Sequence, residues 1–304
     1  MAFAQGSRSS LSYGVESTFG VAAAGTYGGL PIKTHSLDLS KDRLQGMDIY
    51  SDRMPRVSRH GNRQTAGTIE VDLRKGNYDD FLESGMMSSF DSSDVMTVGT
   101  TPKFLTIEDA LNDITQFRLF TGMTVSSTSF SIAPNQMVNT VFTMVGANMT
   151  VSGTGKTTSA AVINDPFDSY SASMYEGGVG SGDVISIISS IDFSITNSFA
   201  PTFVVGSDTT PQLEFGRSII EGTITAYFED LSLLNKFLNE TESEIEINVD
   251  APAGTDTYTF WFPRIKYNGG NIPLANEQSR LVTLPFEALY DTTATTQLKL
   301  TRTS

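Results

Sequence analysis

The sequence predicts a mainly β protein of two tandem β-sandwich or partly open barrel domains, each with one flanking short helix. Three observations carry that prediction. Short runs alternate apolar and polar residues at period two, the mark of strands that bury one face. Segments of the first half reappear in the same order in the second. Each half holds one stretch of helical spacing after its second strand.

The repeat is read from four pairings. Ser36-Leu37-Asp38-Leu39-Ser40 matches Ser190-Ile191-Asp192-Phe193-Ser194, at an offset of 154. Gly67-Thr68-Ile69 matches Gly222-Thr223-Ile224 at 155, and Phe81-Leu82 matches Phe237-Leu238 at 156. Ile132-Ala133-Pro134-Asn135-Gln136 matches Leu274-Ala275-Asn276-Glu277-Gln278 at 142, so the first half carries extra residues, placed at Met86–Thr101.

Residues 1–33 read as an N-terminal arm with little periodicity. The first domain spans 34–147. Its strands carry Leu37 and Leu39, then Ile69, Val71 and Leu73, then Leu105 and Ile107, Phe117 and Leu119, and last Thr140, Phe142 and Met144. Its helix is predicted over Tyr78–Ser84, capped by Asn77, with Asp79 and Asp80 in the first turn and Gly85 as a stop. Residues 148–184, rich in Gly, Ser and Thr, read as a linker anchored at Pro166-Phe167. The second domain spans 185–290, with strands around Ile191, Ile224, Ile245–Val249, Tyr258–Arg264 and Val282–Phe286. Asp230 is the predicted cap of a helix over Leu231–Asn239, with Leu231, Leu234 and Leu238 on its core face. Residues 291–304 form a Thr-rich tail with an edge strand at Gln297–Thr301.

Charge narrows the function. The 304 residues include 34 acidic and 20 basic side chains and no cysteine, for a net charge of −14. Disulfides, thiolate metal sites and cysteine nucleophiles are thereby excluded. The acidity argues against a sequence-independent grip on nucleic acid. No apolar run approaches the roughly 20 residues of a membrane helix, and the opening residues show no secretory pattern. Residues 1–63 are the exception, with 8 basic and 5 acidic residues.

Candidate chemistry is sparse. Gly153-Thr154-Gly155-Lys156-Thr157 lacks the leading glycine of a phosphate loop, because Thr150 stands there. His35 and His60, the only histidines, have no metal-ligand spacing, and His60 reads as a polar loop residue. Trp261 reads as core. The pattern predicts no catalytic residue, no cofactor and no metal.

Gly216-Arg217-Ser218, Thr225-Ala226-Tyr227-Phe228-Glu229-Asp230, Leu233–Glu240, Pro263–Gly270 and Pro285–Tyr290 resemble the major tail tube protein of long-tailed, non-contractile bacteriophages. The form resembled has a duplicated tube domain, and the likeness spans roughly residues 30–290. It implies β-sandwiches whose sheets join into a barrel around a channel, with rings that stack into the virion tail in the host cytoplasm. It implies as partners further copies of the chain, a tape measure protein, and tail terminator and tail tip proteins. Genome DNA would pass through the lumen without specific binding, and no membrane is involved. A carbohydrate- or host-receptor-binding sandwich and a β-rich enzyme are the competing readings.

Two long loops are the predicted contact sites. Ser40–Asn62 is too long for a simple hairpin. It is expected to dock on an acidic surface of the neighbouring ring through Arg43, Arg53, Arg56, Arg59 and the adjoining Arg63. The counterpart, Asn197–Gly216, is expected to reach the same way with Phe199, Phe203 and Val204. Two tube domains per chain predict trimeric, pseudo-hexameric rings, with hexameric rings as the alternative.

Overall fold

The computed structural model describes residues 3–177, 183–184, 188–229, 231–252, 256–273 and 279–303. A 3-10 turn, Gly6–Arg8, leads into β1 (Ser9–Val15), β2 (Tyr27–Leu30), β3 (Thr34–His35), β4 (Asp38–Gln45) and β5 (Ser58–Asp72). Helix α1 (Asp79–Met86) precedes β6 (Val95–Thr97), β7 (Leu105–Leu111), β8 (Gln116–Ile132) and β9 (Asn139–Gly146). Four short strands follow: β10 (Asn148–Ser152), β11 (Thr158–Ser159), β12 (Ser173–Glu176) and β13 (Asp183–Val184). The second half runs through β14 (Ile188–Thr196), β15 (Ala200–Thr202), β16 (Gln212–Glu214) and β17 (Ile219–Tyr227) to α2 (Ser232–Leu238). It ends with β18 (Ser243–Asp250), β19 (Thr257–Tyr267), β20 (Leu281–Ala288) and β21 (Lys299–Thr303). Among the described residues the protein is mainly β with two short helices, as the alternation and the helical spacing predict.

Burial follows that alternation. Strand β9 buries Thr140, Phe142 and Met144, and β20 buries Val282, Leu284 and Phe286. In the first half, β4 pairs β5, β5 pairs β9 and β9 pairs the second part of β8, all antiparallel. In the second half, β14, β17, β20 and β19 pair in the same order and sense. The two runs meet where Ser127–Ile132 of β8 pairs Ile191–Thr196 of β14. Phe130 stacks on Phe193 across that seam at 4.7 Å, and the rings of Phe260 and Phe262 meet Phe193 edge-on.

The first half has a second layer. β8 pairs β7 as far as Met123 and β9 from Thr124, so one strand serves two sheets. The change falls at Gly122, whose φ of 67° suits glycine and whose missing Cβ admits Ala147 and Phe19. The repeated Gly-Thr-Ile also has a packing cause. A Cβ on Gly67 would lie 2.6 Å from Leu37 Cα, and one on Gly222 would lie 2.4 Å from the Phe286 ring. These glycines fix the register: Leu37 lies beside Gly67 and Phe193 beside Gly222, so the first strands correspond at an offset of 156, not 154.

Several segments differ from expectation. The N-terminal arm contributes β1 and β2, which pair each other, and β1 pairs β7. Its polar spacing hid strands that lean on a neighbouring sheet. The predicted linker contains β10 on β8, β11 on β2 and β12 on β18, with Phe167 fully buried. The insertion at 86–101 supplies β6, and the C-terminal β21 lies between β19 and β6 rather than at an edge. Asn77 does not cap α1; its side-chain amide donates to the Val162 carbonyl. Tyr78 holds the cap position, Gly85 is helical, and Met87 ends the helix in the left-handed region. Asp230 lies outside the described residues. Leu231 and Leu238 are exposed rather than core, while Leu233 and Phe237 carry the packing of α2.

A polar cluster ties the tail to the first half. Tyr258 Oη donates to Asp79 at 2.5 Å, Arg302 bonds Asp79 and Asp94, and Lys75 reaches Asp256 and the Thr303 carbonyl, each at 2.9 Å. Tyr267 donates to Glu176 and Tyr13 to Asp80, both at 2.9 Å. Burial, then the adjoining carboxylate, raises the phenols of Tyr13, Tyr258 and Tyr267, and burial pushes Tyr78 up to about 12. A phenol whose folded pKa is raised stabilises the fold below its unfolded value of about 10, and that contribution is lost as pH rises through the folded value. A phenolate absorbance titration is therefore expected to show Tyr13, Tyr78, Tyr258 and Tyr267 ionising only with loss of β circular dichroism. A single transition for all tyrosines in a folded protein would contradict this burial.

Candidate assembly surfaces: two arms and an uncovered sheet face

The segment predicted as a long loop, Ser40–Asn62, is strand at both ends and loop only over residues 46–57. β4 and β5 continue as a projecting hairpin, with Lys41 opposite Arg63, Arg43 opposite His60 and Gln45 opposite Ser58. Only residues 46–57 form the tip. Both faces of this hairpin meet water, so no period-two pattern marks it; the ladder bonds alone set its form.

The five arginines are not equivalent. Arg63 is held within the chain: its Nε donates to Asp208 at 2.9 Å, its amide to the Asp208 carbonyl at 2.8 Å, and its Nη1 to Asn148 at 3.2 Å. Arg56 bonds Asp52 at 2.8 Å and covers the Tyr50 ring at 4.1 Å. Arg43 Nε donates to the Ser58 hydroxyl at 3.2 Å. Arg53, at φ 61°, and Arg59 have no acidic partner among the described residues. The tip also carries Met47 and Ile49, 88% and 98% exposed, with Met54 and Val57, and exposed Leu44 of β4 stands next to it in sequence. Charge counting passed over these residues; apolar side chains inside a polar stretch were the available signal.

The second arm, residues 197–216, is a smaller hairpin of β15 on β16. Phe199 packs near Phe215 at 6.4 Å, and Leu213 is buried beneath. Phe203, Val204 and Val205 are exposed at its tip. The Arg63–Asp208 pair fixes this arm against the base of the first. The structure thus brings Arg63 to the second arm and leaves Arg53, Arg59, Phe203 and Val204 outward.

The third surface is one face of the β5-β9-β8-β14-β17-β20 run. Thr68, Thr143, Ser129, Ser194, Thr223 and Thr283 point outward there, opposite the core residues of each strand. Glu70, Asp72, Asp192, Glu221 and Glu287 share the face. Lys33 answers Glu70 and Asp72 at 3.6 and 3.2 Å. A shallow depression of 540 Å³ crosses it, lined by Ser129, Asp192, Glu221 and Pro285. The face is polar, acidic and hydroxyl-rich.

The sequence pattern of one family, described as phage tail tube protein, matches residues 6–288. The chain belongs to this family. A solved chain described as "Virion of native gene transfer agent (GTA) particle" is similar at 11% identity, covering 43% of this chain and 95% of that one, with a TM-score of 0.28. No curated protein matches. A phage tail tube protein is a structural component of the virion tail that assembles with other virion proteins.

The residues weighed for chemistry fit such a structural part. The Lys156 amide, which a phosphate loop would offer to a ligand, donates instead to the Glu108 carboxylate at 2.8 and 3.1 Å. His35 Nε2 stands 3.7 Å from Asp109, and His60 is an exposed strand residue of the first arm, not a loop residue. Trp261 is not core: it lies on the face opposite Phe260 and Phe262, donates to Glu244 at 2.5 Å and is covered by Lys299. No group of three His, Asp or Glu able to hold a metal occurs among the described residues.

The clamp between the arms makes a pH prediction. The Arg63 hydrogen bond holds the Asp208 carboxyl below the usual range. A depressed carboxylate pKa stabilises above its unfolded value of about 4, and the contribution is lost as pH falls below it. Amides near Ser207–Thr210 are therefore expected to exchange faster as pH drops under about 4, relative to β9, after correction for intrinsic rates. Asp208→Asn is expected to show that faster exchange already at neutral pH. Equal protection in both proteins would mean that the pair does not hold the arm.

Proposed function

We propose that the chain builds the wall of a non-contractile phage tail tube and supplies two adjacent positions of each ring. The observation that carries this reading is the sheet itself. Two four-strand blocks of the same order run head to tail, joined by β8 on β14. Repeating that step brings the last block of one chain to the first block of another, and a heterologous contact of this kind closes when the rotation allows it. Duplicated tube domains, at 34–147 and 185–290, make three chains the natural count for a six-position ring, with six chains as the alternative. The matching order of both blocks favours a wall position for each.

The uncovered face suits the channel. Its carboxylates repel phosphate, and its hydroxyls offer weak, interchangeable hydrogen bonds, so duplex DNA slides during ejection instead of binding. Before ejection the same surface would hold a tape measure protein, with tail terminator and tail tip proteins at the ends, in a particle assembled in the host cytoplasm. The arms suit stacking, with Arg53, Arg59, Met47 and Ile49 of the first and Phe203 and Val204 of the second directed to the neighbouring ring. A structural wall needs no catalysis, and the reading assigns none. Among the described residues, the uncovered face clusters none of the aromatics that a carbohydrate-binding module would use.

Counting chains per ring by cryo-electron microscopy tests the arrangement: three are expected, and six would overturn it. The joint substitution Arg53→Glu, Arg56→Glu and Arg59→Glu is expected to leave circular dichroism unchanged and to stop tubes from lengthening. Each exposed pair contributes only about 0–1 kcal/mol, but stacking repeats the loss around every ring. Tubes of normal length from this variant would remove the first arm from the stacking contact.

A further inference from the structure

We infer that the outer edge of β4 and the segment Asn268–Pro273 are the two halves of a junction between copies of this chain, in the register of β8 on β14. The inference rests on the ring reading above and specifies its contact. Inside the chain, Ser129 of β8 lies opposite Ser194 of β14, and Phe130 opposite Phe193. Val125 and Tyr267 occupy matching places, each opposite the residue that faces the repeated glycine: Met144 beside Gly67, and Phe286 beside Gly222. Ser129 therefore corresponds to Asn271 and Phe130 to Ile272. The glycine register likewise makes Phe193 correspond to Leu37 and Ser194 to Asp38. The inter-chain contact places Asn271 opposite Asp38 of the next copy, and Ile272 opposite its Leu37.

Burial supports both halves. At the internal seam Ile195 is 2% exposed, whereas its counterpart Leu39 is half-buried beside an unpaired edge. Leu82 of α1 is 2% exposed, whereas its counterpart Leu238 of α2 is 65% exposed. The end of α1 receives Asn197 from the second block, whose side-chain amide donates to the Gly85 carbonyl at 2.5 Å. Each free end thus leaves more open to water what the seam covers: Leu39 on one, Leu238 on the other. In the single chain the edge is guarded: the Leu39 amide is taken by its neighbour Asp38 at 2.8 Å. Opposite it, β19 stops at Tyr267, and Gly269-Gly270 and Pro273 weaken strand formation until a partner edge supplies ladder bonds. The arm clamp has a matching pair as well. Ser51-Asp52 stands at the offset of 156 from Ser207-Asp208, and exposed Arg217 has no acidic partner among the described residues.

The chain has no cysteine, so a disulfide can report the contact directly. The variant Asp38→Cys with Asn271→Cys is assembled under reduction, checked for tubes, then oxidised and run on a denaturing gel. Nearly all of the monomer band is expected to convert to a product of three chains. An equimolar mixture of the two single variants is expected to give dimers only, and Leu44→Cys with Asn271→Cys is expected to stay monomeric. A cross-linked product of six chains would uphold the junction and overturn the ring count alone. Tubes in which Asp38→Cys with Asn271→Cys does not cross-link, or in which the Leu44→Cys control cross-links as well, would overturn the junction whatever the ring count.

Discussion

The pairing of β8 with β14 is the contact on which the rest of the molecule depends. It turns two similar blocks into one sheet, and it does so with the second half of a strand whose first half belongs to another layer. The stacked rings of Phe130 and Phe193 sit on that seam. Burying a side chain of that size contributes about 1.5–3 kcal/mol, and a good aromatic pair adds about 0.5–1.5 kcal/mol. A seam of this strength fixes the orientation of the blocks more firmly than a flexible linker could, and the acidic face and the arms are placed by that orientation.

The C-terminal strand gives the junction a second support. β21 lies between β19 of the second block and β6 of the first, so the insertion peculiar to the first half ties it to the second in space. Arg302, Asp79, Asp94, Tyr258 and Lys75 complete the link with charge-assisted hydrogen bonds. Such partly buried bonds are stronger than exposed ones, and removing one partner strands the other. The cluster therefore contributes specificity of arrangement as much as stability.

The proposed function rests on surfaces rather than on a pocket. Polar groups that sequence reading weighed for chemistry enter structural bonds instead, as with Glu108 and the Lys156 amide. What remains outward is an acidic hydroxyl-bearing sheet face, two projecting arms and two strand ends. The arms join strong and weak features: Arg63 is committed inside the chain, while Met47 and Ile49 of the tip stand in water. Exposed apolar side chains on a projecting tip are stable as part of an interface and a liability otherwise.

Much of this was legible in the chain itself. Alternation determined the strands that bury Ile69, Phe142, Ile247 and Leu284, because period two is a direct record of which face meets the core. The paired Gly-Thr-Ile segments determined that the two halves share an order, and the helix position with Tyr78, Phe81 and Leu82 inward followed from spacing. Strands without such a record were decided only by tertiary structure. β1, β10, β12 and the base of the first arm carry polar or mixed sequences and become strands because a neighbouring edge offers ladder bonds. The two-residue error in repeat register, the exposure of Leu238 and the outward face of Trp261 have the same origin. A shift of two residues preserves every inward and outward position, so hydrophobic pattern cannot detect it. Whether a helix face is covered depends on which strand lies across it. The commitment of Arg63 to Asp208, 145 residues away, depends likewise on the fold that brings the two arms side by side.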